Sequence, residues 1–319
     1  MTNLLFLLLG VGLLTIGGEA LIRGSLAASQ RLGVSPLLSG LVIVGFGTSA
    51  PELVVSVNAA LNQQPDIAVG NVVGSNISNV LLILGICALI APLTIKPLAL
   101  RRDAVIVVVA SILFLVLVGG SALGRTDGVI FLTALVAYLV WAYWSERIHA
   151  PATTLNKAEA EELTALPKSI GWTVAAVIIG LLLLISGSQV LLIGAVGIAE
   201  SLGVSEAVIG LTLVAVGTSL PELSISVIAA LRRHADVAVG NILGSNIFNL
   251  LGILGVSALL QPLPVHARIL QFDQWVLLVA SLLLFLFLYT GRRLSRGEGG
   301  ILLATYGVYV GLSFTAFGS

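Results

Sequence analysis

Gly47-Thr48-Ser49-Ala50-Pro51-Glu52-Leu53 and Gly217-Thr218-Ser219-Leu220-Pro221-Glu222-Leu223 are two copies of one stretch, and their reading decides the fold. Each places a glutamate beside a proline, two hydroxyls and a glycine, in the middle of a long apolar run. A charge at the centre of a membrane helix costs about 2.5–3.5 kcal/mol on insertion scales. Neither run contains a Lys or Arg that would neutralise it. The missing counter-charge must come from outside the protein, as a bound cation or a proton.

The surrounding chain is built for a bilayer. Its 319 residues are 58% hydrophobic and 9% charged, with a mean hydropathy of +1.11. A soluble domain carries about 25% charged residues, so soluble folds are excluded. A net charge of zero without a basic patch gives no hold for nucleic acid. The single Cys87 excludes a disulfide framework or a thiolate metal site. Residues 3–27 lack the charged flank and cleavage site of a signal peptide and read as a first membrane helix.

Apolar stretches long enough to span a bilayer fall at 3–27, 36–62, 68–91, 103–121 and 128–147. After a polar segment they resume at 169–198, 206–231, 237–260, 272–290 and 300–317. The expected fold is an all-α polytopic membrane protein of ten transmembrane helices. Residues 1–148 form a first five-helix repeat, 149–168 a linker and 169–319 a second repeat.

The repeat holds a constant offset of 170. Glu52 maps to Glu222, and Asp66 to Asn79 (DIAVGNVVGSNISN) maps to Asp236 to Asn249 (DVAVGNILGSNIFN), identical at ten of fourteen positions. Leu32-Gly33-Val34-Ser35 matches Leu202-Gly203-Val204-Ser205, and Pro92 and Asp103 match Pro262 and Asp273. Five crossings leave the chain on the opposite side of the membrane, so the second copy enters inverted. Inverted repeats put a transporter's site near the midplane where they meet.

Charge sets the orientation. With the N-terminus outside, Arg31, Lys96, Arg101, Arg102, Arg147, Lys157, Lys168, Arg232, Arg233, Arg292, Arg293 and Arg296 face the cytoplasm, while Arg125 and Arg268 face out. Both termini are then outside and the 149–168 linker is cytoplasmic, in a multi-pass protein of the cell (plasma or inner) membrane. The linker's Lys157-Ala158-Glu159-Ala160-Glu161-Glu162 reads as a solvated connector. It lacks the spacing and glycine turn of an EF-hand loop.

Pro51 and Pro221 remove a backbone donor and free carbonyls near Gly47 and Gly217. Irregular backbone at this depth is tolerated only where it is buried in protein or lines a wet cavity. Each copy is therefore expected to be a broken helix offering a carboxylate, hydroxyls and carbonyls at one level. Asn71, Ser75 and Asn79 form a stripe at i, i+4, i+8, as do Asn241, Ser245 and Asn249. Such stripes also glue helices together by hydrogen bonds. Asn71 and Asn241 suit either role, while Asn79 and Asn249 lie deeper and are better ligand candidates. Asp103 and Asp273 are expected to cap helix starts. Asp66 and Asp236 sit where helix starts favour acidic groups, and Glu19 and Arg23 are spaced to pair within the first helix.

The site offers only oxygen, without His or Cys, which suits hard cations rather than zinc, copper or iron. Calcium takes six to eight oxygens in flexible geometry. Two carboxylates neutralise one Ca²⁺, and could instead hold Na⁺ ions or two protons. A site that crosses loaded with either of two competing cations, and rarely empty, is the physical basis of an antiporter.

The paired GTS-PE and GN-x-x-GSN-I segments, in two five-helix halves, resemble the alpha repeats of the sodium/calcium exchangers of the cation/calcium antiporter superfamily, in its compact prokaryotic form. The resemblance implies a secondary antiporter that extrudes Ca²⁺ while Na⁺ enters, by alternating access. Glu52 and Glu222 would be the main Ca²⁺ ligands, completed by Asn79 and Asn249. Thr48, Ser49, Thr218, Ser219, Ser75 and Ser245, with the carbonyls of Gly45 and Ala215, would form flanking Na⁺ sites. The first and sixth helices would slide across the other eight, on an interface smoothed by Gly10, Gly12, Gly17, Gly18, Gly180, Gly187, Gly194 and Gly197. Some family members carry a carboxylate where this chain has Asn249, so the empty site here carries two negative charges rather than three. The resemblance implies no enzyme activity, cofactor, nucleic acid or obligate protein partner; Ca²⁺, Na⁺ and the lipid bilayer are what the chain would meet. Competing readings are a Ca²⁺/H⁺ antiporter in which the same glutamates titrate, an intramembrane hydrolase with paired acids, and a passive channel.

Overall fold

The computed structural model describes residues 2–94, 97–149, 169–202, 217–291 and 293–317. They form a mostly helical membrane protein: α1 (Thr2–Leu32), α2 (Pro36–Thr48), α3 (Ala50–Leu61), α4 (Pro65–Ile90), α5 (Pro97–Leu117), α6 (Arg125–His149), α7 (Ile170–Ser201), α8 (Leu220–Leu231), α9 (Ala235–Leu260), α10 (Ile269–Thr290) and α11 (Arg296–Phe317). Seven of these helices are long and apolar enough to cross a membrane, and the bent pair α2–α3 makes an eighth. The expected span 206–231 is described only from residue 217, and the linker motif at 157–162 lies outside the described residues.

The apolar stretches become helices because every backbone polar group must be satisfied internally in lipid. Their ends carry ordinary signals. Gly33 adopts φ +65° after α1, the left-handed conformation that glycine accepts without strain. Ser35 then caps α2, its hydroxyl accepting from Leu38 N at 3.1 Å, with Pro36 opening the helix.

The 170-residue offset is visible in the backbone. α3 and α8 end alike: Gln63 and Arg233 both take positive φ, 59° and 62°. Gln64 N donates to Ala59 O, and His234 N to Ala229 O, each at 2.8 Å. Two short antiparallel ladders join connections about 200 and 140 residues apart in sequence. Leu93 pairs with Leu294, and Leu123 with Leu263. Counterparts also meet one another. Ser111 Oγ lies 2.9 Å from Ser281 Oγ, and Asn246 Nδ2 donates to Asn76 O at 3.3 Å.

α4 and α9 form the centre. In α9, 83% of the apolar window is buried, against 22% in α7. α2 crosses α9 at backbone contact. A Cβ on Gly45 would sit 2.7 Å from Asn241 O and 2.8 Å from Ser245 N, and one on Gly240 would meet Leu37 O at 2.6 Å.

α1 and α7 pair along their length and run antiparallel. Gly10, Gly17 and Gly24 recur every seven residues, as do Gly180, Gly187 and Gly194. A Cβ on Gly17 would lie 2.9 Å from Gly180 O, one on Gly187 2.9 Å from Leu14 N, and one on Gly194 2.7 Å from Asn3 O. These small residues let the two backbones approach. The expectation that they smooth a contact with the remaining helices is thus corrected: most of them bind α1 to α7. Gly18 alone of the named set faces α8, at Ile228, while Gly12 has open space around it among the described residues.

The capping expectation for Asp103 is also corrected. α5 starts at Pro97, so Asp103 lies in its second turn, buried. It accepts from Arg102 Nε at 2.6 Å and Tyr138 OH at 2.8 Å, and Arg102 continues to Ser145 and Glu146. Asp273 likewise accepts from Arg268 at 3.2 Å and Tyr309 OH at 3.1 Å. A partly desolvated guanidinium and a phenol hold these carboxylates more strongly than helix N–H groups would. Asp66 and Asp236 do occupy the first turns of α4 and α9.

Candidate cation site

The site is assembled where the broken helix α2–α3 and the start of α8 face two continuous helices, α4 and α9. α2 and α3 meet at Ser49 with a 45° bend. Ser49 has φ −80° and ψ 8°, in the sparsely populated bridge region. Pro51 falls in the first turn of α3, where its missing N–H is harmless, and Glu52 follows it. Leu220, Pro221 and Glu222 open α8 in the same way after Ser219. Both glutamates therefore sit at helix N-termini, whose positive dipole ends favour anionic groups. α4 and α9 change to π-helical turns at Asn79–Ile83 and Phe248–Ile253. Such turns often mark functional positions, and here they lie at both predicted ligand asparagines.

The two carboxylates are brought to one place. Ser49 Oγ donates to Glu222 Oε1 at 3.0 Å, and Ser219 Oγ makes a longer contact of 3.5 Å with Glu52 Oε1. Each GTS-PE copy thus reaches the glutamate of the other. Both glutamates are 1% exposed, and neither has an ion-pair partner among the described residues. Glu52 Oε2, Glu222 Oε2, Asn79 Oδ1 and Asn249 Oδ1 are buried without a hydrogen-bond partner among those residues. Buried polar atoms are normally satisfied, so four such oxygens on the four predicted central ligands fit a cation better than they fit packing.

Thr48 Oγ1 lies 3.1 Å from Asn241 Oδ1 and 3.3 Å from Gly45 O, and Ser245 Oγ donates to Gly45 O at 3.0 Å. Thr48, Ser49, Gly45 and Ser245 are therefore one connected group beside Glu222. Thr218 and Ser219 immediately precede α8, and Ser75 stands one turn before Asn79 on α4. Ala215 lies outside the described residues.

Asn71 and Asn241 are pegs. Asn71 Nδ2 donates to Glu52 O at 3.2 Å and Ser56 Oγ at 2.9 Å; Asn241 Nδ2 donates to Glu222 O at 3.2 Å and Ser226 Oγ at 2.8 Å. They hold the first turn of each half-helix and so aim its glutamate. Asn71→Ala should cost about 2 kcal/mol by orphaning the buried partners and lower Ca²⁺ affinity without removing a ligand. Thermal unfolding in detergent with and without Ca²⁺ checks both effects.

Ser56, Ser226 and Asn246 were not among the predicted residues. Ser56 and Ser226 hold the pegs, and Asn246 Oδ1 accepts from Asn79 Nδ2 at 3.0 Å. Their signal in the sequence is preservation at offset 170: serine four residues after each glutamate, and asparagine at 76 and 246. Asn249 makes no equivalent bond, its Nδ2 being buried without a partner among the described residues.

Known proteins share this architecture. A family model described as sodium/calcium exchanger protein matches residues 2–144 and 172–315. The sodium/calcium exchanger MaX1 of Methanosarcina acetivorans is 32% identical over 347 aligned positions, covering 98% of both chains. The inner membrane protein YrbG of Escherichia coli is 34% identical, over 96% of this chain and 94% of its own length. A solved structure of the sodium-calcium exchanger NCX_Mj matches with a TM-score of 0.82 and 31% identity, over 97% of this chain and 98% of that one. With both GTS-PE copies, their glutamates and the flanking asparagine helices inside the matched segments, this chain belongs to the sodium/calcium exchanger family.

Proposed function

We propose that this protein is a secondary antiporter that carries Ca²⁺ out of the cytoplasm in exchange for entering Na⁺, by alternating access at the site between Glu52 and Glu222. As a member of an exchanger family it is a membrane transporter and not an enzyme. The observation that carries the reading is the set of four buried oxygens without a hydrogen-bond partner among the described residues, two of them on glutamates. Glu52, Glu222, Asn79 and Asn249 hold Ca²⁺. The hydroxyls of Thr48, Ser49, Thr218, Ser219, Ser75 and Ser245, with the Gly45 and Ala215 carbonyls, hold Na⁺ on either side. One Ca²⁺ or two Na⁺ neutralise the carboxylates. A third Na⁺ would rest on neutral oxygens and make exchange electrogenic.

The chain is read as ten helices in two inverted five-helix repeats, 1–148 and 169–319, with 149–168 between them. The antiparallel run of α1 against α7, which are counterparts at offset 170, supports inversion, as do the meetings of Ser111 with Ser281 and Asn246 with Asn76. Unequal surroundings of Asn79 and Asn249 suit alternating access, in which inverted repeats adopt different conformations. The α1–α7 pair, joined by its glycine seam, moves as one body across the others. The bias of Lys and Arg supports termini outside and the linker inside, in a multi-pass protein of the plasma or inner membrane.

Ca²⁺ flux into reconstituted vesicles under an outward Na⁺ gradient, compared with an equal pH gradient, tests the coupling ion. Uptake under the Na⁺ gradient is expected. Uptake driven by the pH gradient alone would make the protein a Ca²⁺/H⁺ antiporter, and flux indifferent to both would make it a channel.

A further inference from the structure

A cavity of about 730 Å³ lies between α1, α7 and α8, away from the paired glutamates. Its lower wall is apolar, with Ile16 and Ile179 more than half exposed. Its mouth carries two arginines that share one carboxylate. Arg23 Nη2 is 2.8 Å from Glu19 Oε1, and Arg232 Nη2 is 2.9 Å from Glu19 Oε2. Glu19 neutralises one of the two guanidinium groups, leaving one surplus positive charge. Both arginine side chains are about half exposed, at 47% and 53%. A guanidinium has five N–H donors, so each retains donors for an oxyanion.

The position matches the edge of a bilayer. Trp172 lines the cavity as the third residue of α7, and Arg232 follows the last residue of α8. Tryptophan favours the headgroup level, and arginine keeps its head there while its stem lies on apolar surface. An apolar trough below a ring of arginine and tryptophan is complementary to one kind of molecule: acyl chain below, phosphate above. Guanidinium groups match phosphate geometry well, and the surplus charge selects a headgroup with net negative charge over a zwitterionic one.

We propose that this cavity is a binding site for an anionic phospholipid, whose phosphate is held by Arg23 and Arg232 and whose chain lies along Ile16 and Ile179. The lipid straddles α1 and α7 on one side and α8 on the other. An effect on exchange would rest on the sliding motion proposed above; the binding does not.

Trp172 gives a direct readout. In a variant with Trp141, Trp144 and Trp275 changed to Phe, the remaining Trp172 reports lipids next to it. Vesicles of phosphatidylcholine containing brominated phosphatidylglycerol are compared with vesicles containing brominated phosphatidylcholine at the same mole fraction. The anionic lipid is expected to quench with about fivefold higher relative affinity, the effect of one surplus charge near the surface. Arg23→Gln with Arg232→Gln should bring the two lipids to parity, and Glu19→Gln should raise the preference. Equal quenching in the parent, a preference that survives the double substitution, or one that fails to rise in Glu19→Gln overturns the proposal. Relief of quenching by inorganic phosphate would assign the arginines to a free anion and overturn it as well.

Discussion

Glu52→Gln is expected to abolish Na⁺-driven Ca²⁺ uptake into reconstituted vesicles, and Glu222→Gln to abolish it equally. Each substitution halves the charge that faces the cation while keeping the shape of the side chain. Ca²⁺ affinity should fall at least about 100-fold, roughly 2.7 kcal/mol. The variants should still fold, because the change removes a buried charge that has no ion-pair partner among the described residues. Their melting temperature without Ca²⁺ should match or exceed that of the parent. The rise in melting temperature that Ca²⁺ produces in the parent, by binding only the folded form, should disappear. A pore would respond differently, with altered selectivity and continued conduction.

Gly45→Ala is expected to have the second large effect, on stability as much as on transport. The new Cβ would press on Asn241 O and Ser245 N of α9, which are backbone atoms and cannot turn aside. Overpacking of this kind costs about 3 kcal/mol at the upper end of its usual range. Separation of α2 from α9 would also break the bonds that Ser245 Oγ makes with the Gly45 carbonyl and Thr48 Oγ1 with Asn241 Oδ1. Gly12→Ala is the control, since nothing among the described residues lies within 4 Å of its Cβ. Thermal unfolding in detergent should show a large drop for the first and almost none for the second.

The features legible in the sequence were those fixed by local composition. Apolar length marks the spans, and Pro51 after a glycine and two hydroxyls marks the break that is found at Ser49. The offset of 170 put Glu52 and Glu222 in equivalent places, and the fold brings each beside the opposite serine. What depended on a distant partner was not legible. The stripe Asn71-Ser75-Asn79 does not say which asparagine turns back to its own half and which points to the centre. That follows from where α3 packs on α4, which puts the Glu52 carbonyl and Ser56 within reach of Asn71. The seven-residue glycine spacing in α1 and α7 was present, but only the three-dimensional structure shows that the two series face each other. Asp103 looked like a cap because it stands near an apolar start. Arg102 beside it and Tyr138, 35 residues later, decide otherwise.

The most direct measurement is the electron density of crystals grown in Ca²⁺ and then transferred to rising Na⁺. One divalent peak is expected between Glu52 and Glu222, at about 2.3–2.6 Å from their Oε2 atoms and from Asn79 Oδ1 and Asn249 Oδ1. It should fade as Na⁺ rises and weaker peaks appear beside the Thr48, Ser49 and Ser245 hydroxyls. A divalent peak elsewhere, or a Ca²⁺ peak that Na⁺ does not displace, would contradict a single site shared by two competing cations.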